Sequence, residues 1–280
     1  MNKKSIFIFD KTQKLKSTTF LAGITIILCL NIVFISNFSL IATNIKNLLA
    51  NLSIAEKQWL INNNLQPKVI PSFWESTITF TYISNFLSGL SLIFFSLNTK
   101  KEFNQKFLFC STIYITITFI VFWSLIFPQI FLNNGYNPKH FVLSTIVHFL
   151  NPLIAIVFAI LNRKNIFINK KTIYIASFFV IIYFCLAMIM YFSGLKITDE
   201  FIKDNIKNSK YDIYINTKIV IYGFLNFQKP LFYGGGNIFI VILLDMFMFL
   251  LAFILPVGIG YFWKFVLKIK NVSTINEVIN

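Results

Sequence analysis

The chain has 280 residues and a formal net charge of +15, and it is 56% hydrophobic, 18% aromatic and only 12% charged. A water-soluble domain carries about 25% charged residues, so this chain has too little polar surface to cover a soluble globule. Cytosolic enzymes, repeat scaffolds and disordered tails are excluded, and the charge is not read as a nucleic-acid footprint.

Six apolar runs are long enough to cross a hydrocarbon core, which takes about 20 helical residues. They cover 18–40, 77–97, 107–132, 141–161, 172–195 and 238–263. None contains Lys, Arg or Glu, and only the sixth contains an Asp. Outer-membrane strands are excluded because those are about 10 residues long and alternate in polarity. The expected fold is an all-α integral membrane protein, a bundle of six transmembrane helices. Residues 1–17 form a basic N-terminal arm, 18–263 the membrane domain and 264–280 a tail.

The first run follows Lys3, Lys4, Lys11, Lys14 and Lys16. It exceeds the roughly 7–15-residue core of a signal peptide, and no small-x-small site follows it. In Ile26-Ile27-Leu28-Cys29 a bulky Leu28 stands where a lipoprotein site wants a small residue. The run is therefore expected to remain as a membrane helix. Between the first two runs, Leu48, Leu49, Leu52, Ala55, Trp59 and Leu60 recur at three to four residues. That spacing predicts an amphipathic helix at the membrane interface, or a loop covering the bundle.

Placing the N-terminus inside puts 15 of the 25 cations on the cytoplasmic side against three acids, Asp10, Glu102 and Glu277. The outside segments hold ten cations and six acids. By the positive-inside rule both termini are expected in the cytoplasm. An attraction to anionic membrane lipids follows from the same asymmetry. Lys is almost the only cation, and Asn, Ile and Phe abound, a usage that fits a bacterium with an AT-rich genome, in whose plasma membrane the protein is expected.

The last long connection, 196–237, begins polar and turns aromatic from Tyr211 to Phe232. Lys218, Lys229 and Pro230 interrupt it, so it is read as a re-entrant or surface-lying lid. Gly234-Gly235-Gly236 lacks the Lys-Ser/Thr of a phosphate loop and is read as a hinge. Pro256, Gly258 and Gly260 are expected to bend the last helix. Cys29, Cys110 and Cys185 all fall within spans and are read as packing residues. Neither a zinc cluster nor a cofactor motif is present in the sequence.

Ionisable groups inside a membrane are functional candidates by default. Two occur, His148 and Asp245, with Thr81, Ser84 and Asn85 in the second span and Asn151 one turn after His148. At 1.5 Å per residue, Thr81, Asn85, His148 and Asp245 lie roughly 6–12 Å below the outer ends of their helices. They are expected to share one layer, with the second, fourth and sixth helices around it. Polar residues also serve as interhelical glue, so a structural role stays open.

Phe80-Thr81-Tyr82-Ile83-Ser84-Asn85-Phe86-Leu87, His148-Phe149-Leu150-Asn151-Pro152-Leu153 and Tyr222-Gly223-Phe224-Leu225-Asn226 follow in order. They resemble, over about 75–265, motifs of bacterial six-span proteins related to the androgen-induced and androgen-dependent membrane proteins of animals. Gly223 and Asn226 depart from the Pro and Asp of that third motif. The resemblance implies an intramembrane hydrolase of lipid esters without metal or cofactor, with Thr81 as nucleophile and His148 as base. On chemical grounds Asn85 or Asn151 could donate to a developing oxyanion, and Asp245 could orient His148. An acyl-ester substrate is then the expected partner. Two other readings remain: a transporter component for a lipid or small solute, and a non-catalytic structural membrane protein.

Overall fold

The computed structural model describes residues 3–128, 138–203, 214, 217–234 and 236–269. The regular elements among them are helical: α1 (Lys3–Ala50), α2 (Ile54–Asn62), α3 (Val69–Glu75), α4 (Phe80–Leu97), α5 (Glu102–Val121), α6 (Pro138–Thr145), α7 (Asn151–Leu161), α8 (Lys170–Lys203) and α9 (Ile238–Val266). A π turn, Phe122–Ile126, extends α5, and another, Ile146–Leu150, joins α6 to α7. Six helical stretches among these residues are long and apolar enough to cross a membrane. They are Thr12–Ala50, Phe80–Leu97, Glu102–Ile126, Phe141–Leu161, Lys170–Glu200 and Ile238–Val266. The expected end of the third run at 132 and the tail from 270 lie outside the described residues.

The third span is the hub. It packs on α4, α7, α8 and α9, while α1 packs on α4 and α7. Its contact with α4 is a ladder of small polar side chains. Ser84 Oγ lies 2.6 Å from Thr118 Oγ1, Ser91 Oγ lies 2.6 Å from Ser111 Oγ, and Ser88 Oγ donates to Ser111 O at 3.4 Å. Small residues let the helices approach, and each hydroxyl finds a partner where no water competes. The indole of Trp263 on α9 donates to Thr116 Oγ1 at 2.9 Å, and Ser177 Oγ on α8 donates to Phe253 O at 3.0 Å. The three cysteines are free thiols.

The helix predicted over 48–60 is divided. Leu48 and Leu49 close α1, and α2 starts afresh at a reciprocal cap. Glu56 N–H donates to Ser53 Oγ at 3.3 Å, and Ser53 N–H donates to Glu56 Oε2 at 2.7 Å. This Ser-x-x-Glu box satisfies two donors that the helix itself cannot, and its hydrogen bonds hold the Glu56 carboxyl below its ordinary range.

Within the long connection between α8 and α9, residues 217–234 are tucked inward. Ile219, Val220, Leu225, Asn226, Phe227 and Pro230 are buried, packing with Phe184, Ala187 and Tyr191 of α8 and Met248 of α9. Lys218 pairs with Glu75 of α3 at 3.0 Å. Lys218, Leu231 and Phe232 adopt positive φ, a conformation uncommon for such residues that the surrounding packing must hold in place. Gly236 has φ +106° with open space around it, which suits the hinge expected before α9; Gly235 lies outside the described residues.

The α1–α4 crossing depends on two glycines. A Cβ on Gly23 would lie 2.7 Å from Gly89 O, and one on Gly89 would lie 2.7 Å from the Ile27 side chain. Backbone cannot swing aside, so Gly23→Ala is expected to destabilise the protein by about 1–3 kcal/mol through overpacking. Gly258 faces open space, so Gly258→Ala is expected to leave the thermal midpoint in detergent unchanged or slightly raised. Equal midpoints for the two variants would show that the helices do not meet at Gly23.

Candidate active site

Two prolines shape the region around His148. Each π turn ends two residues before a proline, Pro128 in one case and Pro152 in the other. Proline has no N–H to donate. Asn151 N–H reaches back to Ile146 O, and Pro152 supplies nothing. The carbonyls of Val147 and His148 therefore lose their ordinary helical donors. Asn85 Nδ2 donates to Val147 O at 3.0 Å, and Trp123 Nε1, from the other π turn, donates to His148 O at 3.1 Å. The same Asn85 amide donates to Thr81 O at 2.8 Å. Side chains from neighbouring spans thus repair the gap, as they must in a medium without water.

The start of α4 presents the complementary problem. Its first N–H groups have no intrahelical acceptor. Phe80 N–H donates to Tyr183 Oη at 2.9 Å, and Thr81 N–H donates to Tyr222 Oη at 3.2 Å. Tyr183 in turn donates to Ile78 O at 3.1 Å. Tyr222 Oη also lies 3.3 Å from Thr81 Oγ1. Tyr222 arrives from the tucked connection, so that segment completes the helix terminus on which Thr81 sits.

Between these two repairs lies a cavity of about 180 Å³ lined by all spans except the first and by the tucked connection. Its polar lining is confined to Thr81, Thr118, His148, Tyr183 and Tyr222; the rest is aliphatic or aromatic. A second chamber of about 170 Å³ reaches toward α1 and α6 and is lined in part by Asn37, Thr79, Tyr82 and Ser144. Thr81, His148 and Tyr222 line both chambers, and so form the wall between them. The His148 ring lies flat on Phe122, with centroids 3.7 Å apart and an interplanar angle of 8°. Its Nδ1 is buried without a hydrogen-bond partner.

Three of the sequence-selected residues stand elsewhere. Both amide hydrogens of Asn85 are spent on backbone carbonyls, leaving none for an oxyanion. Asn151 Nδ2 donates to Ile26 O at 3.4 Å and ties the fourth span to the first. Asp245 lies on the face of α9 that bears Met248 but one turn beyond the cavity lining, within electrostatic reach of Tyr191. Tyr191 donates to Asn226 Oδ1 at 3.3 Å. The sixth span packs mainly on the fifth and third, and it meets the second and fourth around the cavity that all of them line. Tyr183, Tyr222, Phe122 and Trp123 were not selected as site residues. The signals for them were a mid-span Tyr, whose hydroxyl needs a partner when buried, and the two in-span prolines.

The six long apolar helices fit a multi-pass membrane protein. No protein-family model, no curated protein and no solved structure matches the chain.

Asn85→Leu is expected to strand the Val147 carbonyl and cost about 1–3 kcal/mol, the penalty of a buried group left unsatisfied. The check is the thermal midpoint in detergent, with Asp245→Asn as a comparison expected to change it less. An unchanged midpoint for Asn85→Leu would mean that the carbonyl finds another donor.

Proposed function

We propose that the protein is an intramembrane hydrolase or acyl-transfer enzyme for lipid esters, with Thr81 as nucleophile and His148 as general base. The observation that carries this is the shared wall: Thr81 and His148 line the same two chambers, one almost wholly apolar. The likeness of their motifs to the androgen-induced and androgen-dependent proteins supports the same assignment.

A threonine hydroxyl needs a base to attack an ester, and imidazole serves near neutral pH. In the reaction, Thr81 Oγ1 attacks the acyl carbon while His148 takes the hydroxyl proton. His148 then returns that proton to the departing alkoxide, leaving an acyl-Thr81 ester. Water, activated by His148, cleaves this ester and regenerates Thr81; a lipid hydroxyl in place of water gives acyl transfer. The apolar chamber suits the acyl chain, and the chamber lined by Asn37, Thr79 and Ser144 suits the leaving alcohol or the incoming water. Tyr222 Oη, beside Thr81 Oγ1, replaces Asn85 as the donor toward the developing oxyanion. By the positive-inside rule the end where α1 starts and α9 closes faces the cytoplasm, so both chambers belong to the half of the bundle away from it.

A lipid- or solute-binding protein without turnover is the second reading. It is favoured by the absence, among the described residues, of a hydrogen bond between Thr81 and His148. Catalytic contacts often tighten only once substrate is bound.

The purified protein is expected to release fatty acid from a lipid ester. Thr81→Ala and His148→Ala should each abolish turnover, and the double variant should be little worse, because nucleophile and base act as a unit. Tyr222→Phe should lower kcat on the order of 10²-fold, the loss seen when one oxyanion donor is removed. Full activity in Thr81→Ala would end the assignment of Thr81 as nucleophile, and saturable lipid binding without cleavage would establish the second reading. Cys labelling supports the orientation if Asn165→Cys reacts only from the cytoplasmic side and Asn64→Cys only from the other.

A further inference from the structure

We infer that a cleft at the end where α1 starts and α9 closes is a seat for the phosphate headgroup of an anionic phospholipid. This inference is independent of any reaction in the interior cavity. The cleft lies between the start of α1, the α4–α5 turn and the α7–α8 turn. It encloses about 360 Å³, and its polar walls include Lys16, Thr99, Lys100, Gln105, Asn162 and Asn165.

The walls are fixed by amides that bond to the frame. Gln105 Nε2 donates to Thr99 O at 2.8 Å, while its Oε1 accepts from Phe167 N–H at 3.1 Å. Asn162 Nδ2 donates to Thr19 Oγ1 at 2.9 Å and to Phe158 O at 2.8 Å. The cationic groups left to meet a ligand are Lys16 and Lys100. Among the described residues no carboxylate lines the cleft, and Glu102, the first residue of α5, is paired with Lys106 at 2.6 Å. On the far side of the same α7–α8 turn a second cleft, about 380 Å³, carries Arg163, Lys164 and Lys268. The two clefts together present five cations and no acid among their lining residues. Such a concentration of one sign attracts an anion strongly where the surroundings are poor in water.

The position selects a lipid over a free ion. The Thr19–Asn162 hydrogen bond marks the cleft floor, and the neighbours of those two residues, Phe20 and Leu161, are exposed on the apolar flank of the bundle. A molecule with a phosphodiester and acyl chains matches both the cationic mouth and this flank. A free phosphate matches only the mouth. Basic pockets between transmembrane helices at the cytoplasmic boundary recognise anionic headgroups in this way.

The test is lipid retention by the purified full-length chain, counted by native mass spectrometry from mixed micelles of phosphatidylglycerol and phosphatidylcholine. Wild type should retain phosphatidylglycerol in preference on the order of ten-fold, from two lysines near one phosphate. The Lys16→Gln/Lys100→Gln variant should lose that preference. Lys46→Gln/Lys68→Gln, which removes equal charge from the opposite end, should keep it. Asn165→Glu, which adds a carboxylate to the cleft and leaves both lysines, should also lose it and guards against a folding defect in the double variant. Equal loss in the Lys46/Lys68 variant would reduce the effect to diffuse charge and overturn the seat. Retention abolished by millimolar inorganic phosphate would identify a free-anion site and overturn the lipid assignment. An unchanged preference in Lys16→Gln/Lys100→Gln would overturn both.

Discussion

The structure around the cavity depends on one constraint: inside a bilayer, every backbone polar group that a helix cannot satisfy must be satisfied by another part of the protein. The second and fourth spans break their own hydrogen-bond ladders at points that face each other. The second begins inside the bundle and offers free N–H groups at Phe80 and Thr81. The fourth loses donors at Pro152 and offers free carbonyls at Val147 and His148. Two tyrosines answer the first need, and an asparagine and a tryptophan answer the second.

These repairs also place the chemistry. Tyr222 must enter the bundle to reach Thr81 N–H, and so brings its hydroxyl to 3.3 Å from Thr81 Oγ1. Asn85 must bridge Thr81 O and Val147 O, and so fixes the second span against the residue preceding His148. Trp123 holds the His148 carbonyl while Phe122, its neighbour in the same π turn, supports the imidazole face. The π turn is the device that makes this possible, because one extra residue per turn re-aims side chains without ending the helix, and such turns recur at functional sites. The same residues therefore serve stability and position the two groups proposed to react.

The six spans were legible because continuous apolar runs admit one solution in a membrane. Their ends were less so. Residues 41–50 carry Asn and Lys and read as a connection, yet they prolong α1, and only the Ser53–Glu56 box marks where the next helix starts. The site was legible in part. Thr81 and His148 stood out as polar residues in expensive places, and they line one cavity. Asp245 stood out for the same reason but lies one turn beyond it, since depth counted from an uncertain helix end is good only to about one turn. Asn85 looked like a free donor, and what a sequence cannot reveal is that the π turn before Pro152 vacates the Val147 carbonyl and that Asn85 is used on it. Tyr222 sits in a connection whose inward path depends on packing against Phe184, Tyr191 and Met248, contacts distant in sequence.

The central claim is that Thr81 is a nucleophile activated by His148 within an apolar chamber. A long-chain alkyl fluorophosphonate tests it most directly, because it reacts only with an activated hydroxyl and carries its own acyl mimic. The account predicts a single phosphonyl adduct on the peptide containing Thr81, seen by mass spectrometry, and its loss in folded His148→Ala. An adduct on another residue, or none on folded wild-type protein, would contradict it.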